Sequence, residues 1–160
     1  MTGGRLASLG RAAALLLLAL AIRPVLADEA VARGTAEEAQ AMVADAIAYY
    51  DEVGAEAAFE TFNTAAQPRF YDRDLYVFVI AEGGMIVAQA ADPGRVGIDA
   101  LTQLDASGEP YGRWLVERPT PEGVWIDYVR LNPVTGEIEP KSSWVVRHDG
   151  YLFGTGIYRP

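Results

Sequence analysis

The segment Leu75-Tyr76-Val77-Phe78-Val79-Ile80-Ala81 constrains this chain most, because it is rich in β-branched and aromatic residues at both parities. A strand sends alternate side chains to opposite faces, so one that is apolar on both faces must be covered on both. The chain therefore has to supply two covers for one sheet. The first lies upstream. Thr35, followed three residues later by Glu38, forms a capping box, with the hydroxyl accepting from the N3 amide and the glutamate reaching back to the cap amide. Ala39, Met42, Val43, Ala46, Ile47 and Tyr50 then recur at three- and four-residue steps on one stripe, and Gly54 supplies the stop. A shorter helix with Phe59 and Phe62 follows, closed by Gln67-Pro68.

The second cover has to come from mid-chain. Glu82-Gly83-Gly84 separates the first strand from Met85 to Ala90, which gives a β-hairpin, and Asp92-Pro93-Gly94 ends it. Two short helical segments lie between there and Pro121, one carrying Ile98, Leu101 and Leu104, the other opening at Pro110 and carrying Trp114 and Leu115. Val124 to Leu131 and Ile138 to His148 flank a turn at Asn132 to Gly136, and Asp149-Gly150 leads into Tyr151 to Tyr158. The order is a long N-terminal helix, two strands, a helical excursion, then three strands. It predicts an α+β fold on an antiparallel sheet of about five strands, with the excursion roofing one face.

Residues 1–27 read as a signal peptide: Arg5 and Arg11 precede the apolar run Ala12 to Ile22, and Val25-Leu26-Ala27 offers a cleavage site. That run is short of the ~20 residues of a spanning helix. The expectation is a periplasmic or secreted protein, membrane-anchored only if the signal is retained, with residues 28–160 as one domain. Loss of Arg5, Arg11 and Arg23 takes the net charge from −9 to about −12, which disfavours nucleic acid and anionic lipid as partners. The chain has no cysteine and one histidine, His148, beside a turn. Disulfides, thiolate metal sites and histidine-assisted nucleophiles lack their parts. No carboxylate pair, calcium loop or phosphate-binding glycine motif stands out. Neither catalytic residues, metal nor cofactor is expected, and the chain reads as a non-enzyme.

Several residues are candidates for holding a small molecule. Lys141 is the single lysine among 13 basic residues, set in Pro140-Lys141-Ser142-Ser143-Trp144, and a compact ammonium suits a carboxylate. A solvated lysine near a turn is the plainer alternative. Asp127 sits mid-strand, where aspartate needs water or a partner. It pairs with Lys141 or Arg147, or else it faces a ligand amine. Tyr76, Phe78, Tyr111, Trp114, Trp125, Tyr128 and Trp144 suffice to line a small cavity, though most belong to the core.

Three closing segments, Asn132-Pro133-Val134-Thr135-Gly136, Pro140-Lys141-Ser142-Ser143-Trp144 and Gly154-Thr155-Gly156-Ile157-Tyr158, resemble the final hairpins of the single Cache domains, extracytoplasmic small-molecule sensor modules of bacteria. The likeness extends to Asp74 through Ile80, to Trp125-Ile126-Asp127-Tyr128 and to the helix Met42 to Tyr50. It implies a PAS-like arrangement, a pocket under the helical excursion, and the Pro-Lys-Ser segment beside that pocket. Gln89 stands where many relatives carry histidine, and its amide both donates and accepts. The site expected from residues and resemblance together is Tyr76, Phe78, Gln89, Tyr111, Trp125, Asp127, Tyr128, Lys141 and Trp144. Its ligand is a small organic acid, held by Lys141 with Arg113 or Arg147, and an amine is the alternative. The family usually lies between two membrane helices, whereas this sequence ends two residues after Tyr158. A stand-alone exported sensor or carrier is therefore expected, signalling through a separate membrane protein. The competing reading is an interaction module that forms a homodimer through Met42, Val43, Ile47 and Tyr50 and binds no ligand.

Overall fold

The computed structural model describes residues 32–64 and 68–159; the expected signal peptide and Gln67 lie outside the described residues. Helix α1 (Ala36–Val53) starts at Thr35 with both halves of the capping box formed. It stops at Gly54, whose φ of 83° a side chain rarely adopts. Helix α2 (Ala55–Phe62) follows at once and ends on Asn63. No helix among the described residues is long and apolar enough to cross a membrane.

The sheet has five antiparallel strands: β3 (Phe78–Ala81), β4 (Ile86–Gln89), β5 (Val124–Leu131), β6 (Ile138–His148) and β7 (Tyr151–Tyr158), in the order β4-β3-β7-β6-β5. The fold is α+β on a five-stranded antiparallel sheet, as the element order predicts, and the arrangement is the PAS-like one that the resemblance implies. The first strand is shorter than expected. Leu75 and Tyr76 leave the main sheet as β2 and pair with β1 (Tyr71–Asp72) in a small separate hairpin. Arg73 makes that tight turn at a φ of 56°, and the Val77 amide donates back to the Phe70 carbonyl.

Both faces of β3 are covered. On one side Val77, Val79 and Phe153 pack under Val43, Ala46 and Tyr50 of α1 and Phe62 of α2, so the helix stripe is used against the chain's own sheet. On the other side Phe78, Ile80, Ile126 and Leu152 lie beneath two 3₁₀ turns (Pro93–Arg95 and Ala100–Thr102) and α3 (Tyr111–Glu117). The helix expected around Ile98, Leu101 and Leu104 is only the second of these turns, and Ile98 and Leu104 face solvent. Ile98 is held elsewhere: its carbonyl accepts from the Ile86 amide, and the Gly97 amide donates to the Ile86 carbonyl, which ties the segment along the edge of β4. The roof is tightest at Gly112, where a Cβ would lie 1.7 Å from the Ala100 carbonyl oxygen.

Candidate ligand-binding site

A cavity lies between the sheet and its roof. It is walled by Tyr76, Phe78 and Gln89 from the first strands, Tyr128 and Arg130 from β5, Tyr111 and Leu115 from α3, and Arg95 from the first 3₁₀ turn. Strand parity explains β5's share: Ile126, Tyr128 and Arg130 point to one face, and Trp125 and Asp127 to the other. On β7 the same face carries Gly154 and Gly156. A Cβ on Gly154 would lie 2.2 Å from the Phe78 ring, and one on Gly156 would lie 2.4 Å from Lys141 Cε. The glycines therefore let an aromatic ring and a lysine stem lie flat across the strand.

The polar end of the cavity is built around one hydroxyl. Arg95 Nη2 donates to the Tyr111 hydroxyl at 3.3 Å and Arg130 Nη1 donates to it at 3.1 Å, while Arg95 also reaches Gln103 at 3.2 Å. Among the described residues neither guanidinium pairs with a carboxylate. The Tyr111 ring stacks on Tyr128 at 4.7 Å, and the Tyr128 hydroxyl shares a 2.8 Å hydrogen bond with Ser143. Burial pushes both phenols above their ordinary range, so both remain neutral hydrogen-bonding groups at physiological pH.

Of the nine expected site residues, five come together here: Tyr76, Phe78, Gln89, Tyr111 and Tyr128. Lys141 lies next to the cavity without lining it. It is neither solvated nor paired with an acid: its side chain is fully buried on the cavity face of β6, opposite Tyr128. The ammonium sits 3.8 Å from the centre of the Tyr76 ring and 4.6 Å from that of Tyr158. Burial pushes this ammonium below the ordinary lysine value, and the Tyr76 hydroxyl and the Asp74 carboxylate offset part of that push. The Tyr76 and Tyr158 hydroxyls are 3.0 Å apart, and the Tyr158 hydroxyl donates a hydrogen bond to the Leu131 carbonyl at 2.8 Å.

Trp125, Asp127 and Trp144 project from the opposite face. The two indoles pack together with ring centres 5.5 Å apart. Asp127 is largely exposed; it accepts from Arg159 at 2.7 Å and from Ser142, and it pairs with neither Lys141 nor Arg147. Arg113 and Arg147 are also away from the cavity: Arg113 is exposed near Glu117, and Arg147 binds Glu82 and the carbonyls of Pro119 and Val116. The cations at the cavity are Arg95 and Arg130, which the reading of the sequence did not single out. Parity with Ile126 and Tyr128 was an available signal for Arg130; nothing local marked Arg95.

No family model matches this chain, and no curated protein matches it. Solved structures do. A methyl-accepting chemotaxis protein from Vibrio parahaemolyticus superposes with a TM-score of 0.63 at 18% identity, over 76% of this chain and 86% of that one. The periplasmic sensor domain of a chemotaxis protein gives 0.57 at 23% identity, over 78% and 90%. A Cache chemosensory domain, whose structure is described as the basis for carboxylic acid recognition, gives 0.61 at 18% identity, over 78% and 92%. The fold of this chain is that of the single Cache-type, PAS-like sensor domains.

Proposed function

We propose that this domain is an exported sensor module that captures a small carboxylate between its sheet and its helical roof. The observation that carries the reading is the pair of acid-free guanidinium groups, Arg95 and Arg130, converging on the Tyr111 hydroxyl within an aromatic-lined cavity. A carboxylate entering there gives both guanidinium groups an ionised acceptor in place of a neutral phenol oxygen, and arginine–carboxylate pairs are among the strong, directional hydrogen bonds. In an acidic protein a local concentration of positive charge also selects against cationic ligands. The likeness in fold to a Cache domain that recognises carboxylic acids supports the same chemistry.

In this reading Tyr76, Gln89 and Tyr128 shape the wall, and Lys141 holds the Tyr76 ring from behind. Occupancy draws the roof onto the sheet and biases a surface offered to a separate membrane signalling protein. The test is native mass spectrometry of the purified chain, followed by thermal-shift titration with small organic acids, amines and amino acids. Carboxylates are expected to raise the melting temperature by several degrees, since a ligand at 100 times its Kd stabilises by about 2.7 kcal/mol. Arg95→Gln is expected to remove most of that response. Stabilisation by amines and not by acids overturns the carboxylate assignment.

A further inference from the structure

The cavity adjoins a second, open pocket that shares part of its wall, here the outer lobe, and one carboxylate fills only the smaller, inner one. The inner lobe, which holds Arg95 and Tyr111, has a volume of about 30 Å³. A water-sized group needs roughly 10–15 Å³ of such space, so this lobe takes a carboxylate and little more. The outer lobe, of about 230 Å³, is bordered by Ala91, Asp92, Leu131 and Pro133 and shares Tyr76, Gln89 and Arg130 with the inner one. A ligand seated on Arg95 therefore continues outward past Arg130, the one basic side chain that faces both lobes.

The charges agree with the shape. Two guanidinium groups donate to a single neutral oxygen, and a phenol cancels the charge of neither. The nearby Asp105 carboxylate is already taken up by the backbone amides of Ser107, Glu109 and Val129. Asp92 stands exposed at the outer rim, and Lys141 adds a third cation behind Tyr76. A monoanion supplies a counter-charge to one of the two half-buried guanidinium groups, and a second carboxylate supplies the other.

We infer that the ligand is a short aliphatic dicarboxylate, with one carboxylate on Arg95 and Tyr111 in the inner lobe and the second on Arg130 and Gln89 in the outer. This rests on the carboxylate reading of the same cavity. Three probes on one four-carbon frame test it by calorimetry on the full chain: butyrate, succinate and 4-aminobutyrate. Succinate is expected to bind at least about tenfold tighter than butyrate, the worth of one charge-assisted hydrogen bond. Arg130→Gln weakens both acids, succinate far more, so that their affinities converge, and Arg130→Lys recovers part of the difference. Equal affinity of butyrate and succinate for the unaltered protein overturns the inference and leaves the carboxylate reading standing. Tighter binding of 4-aminobutyrate than of succinate assigns the outer lobe to an ammonium on Asp92 and overturns it too. Binding of none of the three removes both readings together.

Discussion

The two faces of the sheet are covered in opposite ways. On the α1 face an 18-residue helix and a short second one lie over rings that fill the space: Tyr50, Phe59, Phe62, Phe70 and Phe153 form a chain of stacked, tilted and edge-to-face contacts. On the roof face the cover is two 3₁₀ turns and a seven-residue helix, and the rings beneath carry hydroxyls and guanidinium groups as well as apolar surface. A long regular helix closes an interface evenly along a strand. Short turns joined by loops bridge it at points and leave space between them. One face is therefore filled and the other leaves a cavity, and the same strand, β3, borders both through its alternation.

The largest effect expected belongs to the filled face. Phe62 is fully buried, with its ring 4.7 Å from that of Phe70, and Phe62→Ala should cost about 4 kcal/mol in thermal or denaturant unfolding. Carboxylate affinity, measured by calorimetry below the melting temperature, should stay within about threefold, since Phe62 packs in the core of the α1 face and lines no part of the cavity. A tenfold loss of affinity would show that the faces are coupled and that the division just drawn is false.

Gly112→Ala attacks the roof instead. Its Cβ would meet the Ala100 carbonyl, a backbone atom that yields only if the second 3₁₀ turn and α3 part. The cost should be about 3 kcal/mol, at the upper end for overpacking. Hydrogen exchange should locate it: amides of residues 93–117 lose protection, amides of α1 keep theirs, and the carboxylate-induced thermal shift disappears. Loss of protection spread evenly over both faces would mean that the roof is not a separable layer.

The sequence made the filled face more legible than the roof, for physical reasons. The α1 stripe, its capping box and the three closing strands are written in local periodicity, and they form where periodicity places them. The roof depends on contacts distant in sequence. Ile98 has a helical neighbourhood on paper, yet its carbonyl is claimed by Ile86 across the sheet edge. The site divides in the same way. Tyr76, Phe78, Tyr111 and Tyr128 were readable as aromatic residues able to line a cavity, and Gln89 through the family resemblance, and they converge. Trp125, Asp127 and Trp144 are equally prominent in composition, but strand parity sends them to the other face, and parity matters only once the register of β5 against β6 is known. Arg95 reaches the cavity only because the turn at Pro93 carries it to the Tyr111 hydroxyl.

The smallest effect on stability, and the most telling, is expected at Lys141. Its conspicuous isolation in the sequence suits either a ligand contact or an exposed turn, but its ammonium lies between two tyrosine rings with its stem against Gly156. Lys141→Ala is an unsuitable test because it empties a fully buried site and adds a cavity penalty to any effect on binding. Lys141→Met keeps the stem and removes the charge. Replacing a buried charge by an apolar side chain of similar volume is often neutral or stabilising, so stability at pH 7 should change by less than about 1 kcal/mol. The sign with pH follows from the direction of the lysine's shift. The folded state holds its proton less tightly than the unfolded state, whose value is near the ordinary 10.5. The unaltered protein therefore gains stability as pH rises through the window below 10.5, and the methionine variant lacks that gain. Any stability advantage of the variant should be greatest at neutral pH and shrink towards alkaline pH. If carboxylate affinity falls about tenfold while stability holds, Lys141 acts on the ligand through the Tyr76 ring, and the filled side of that ring belongs to the site. If affinity is unchanged, the boundary between site and core runs along Tyr76 itself.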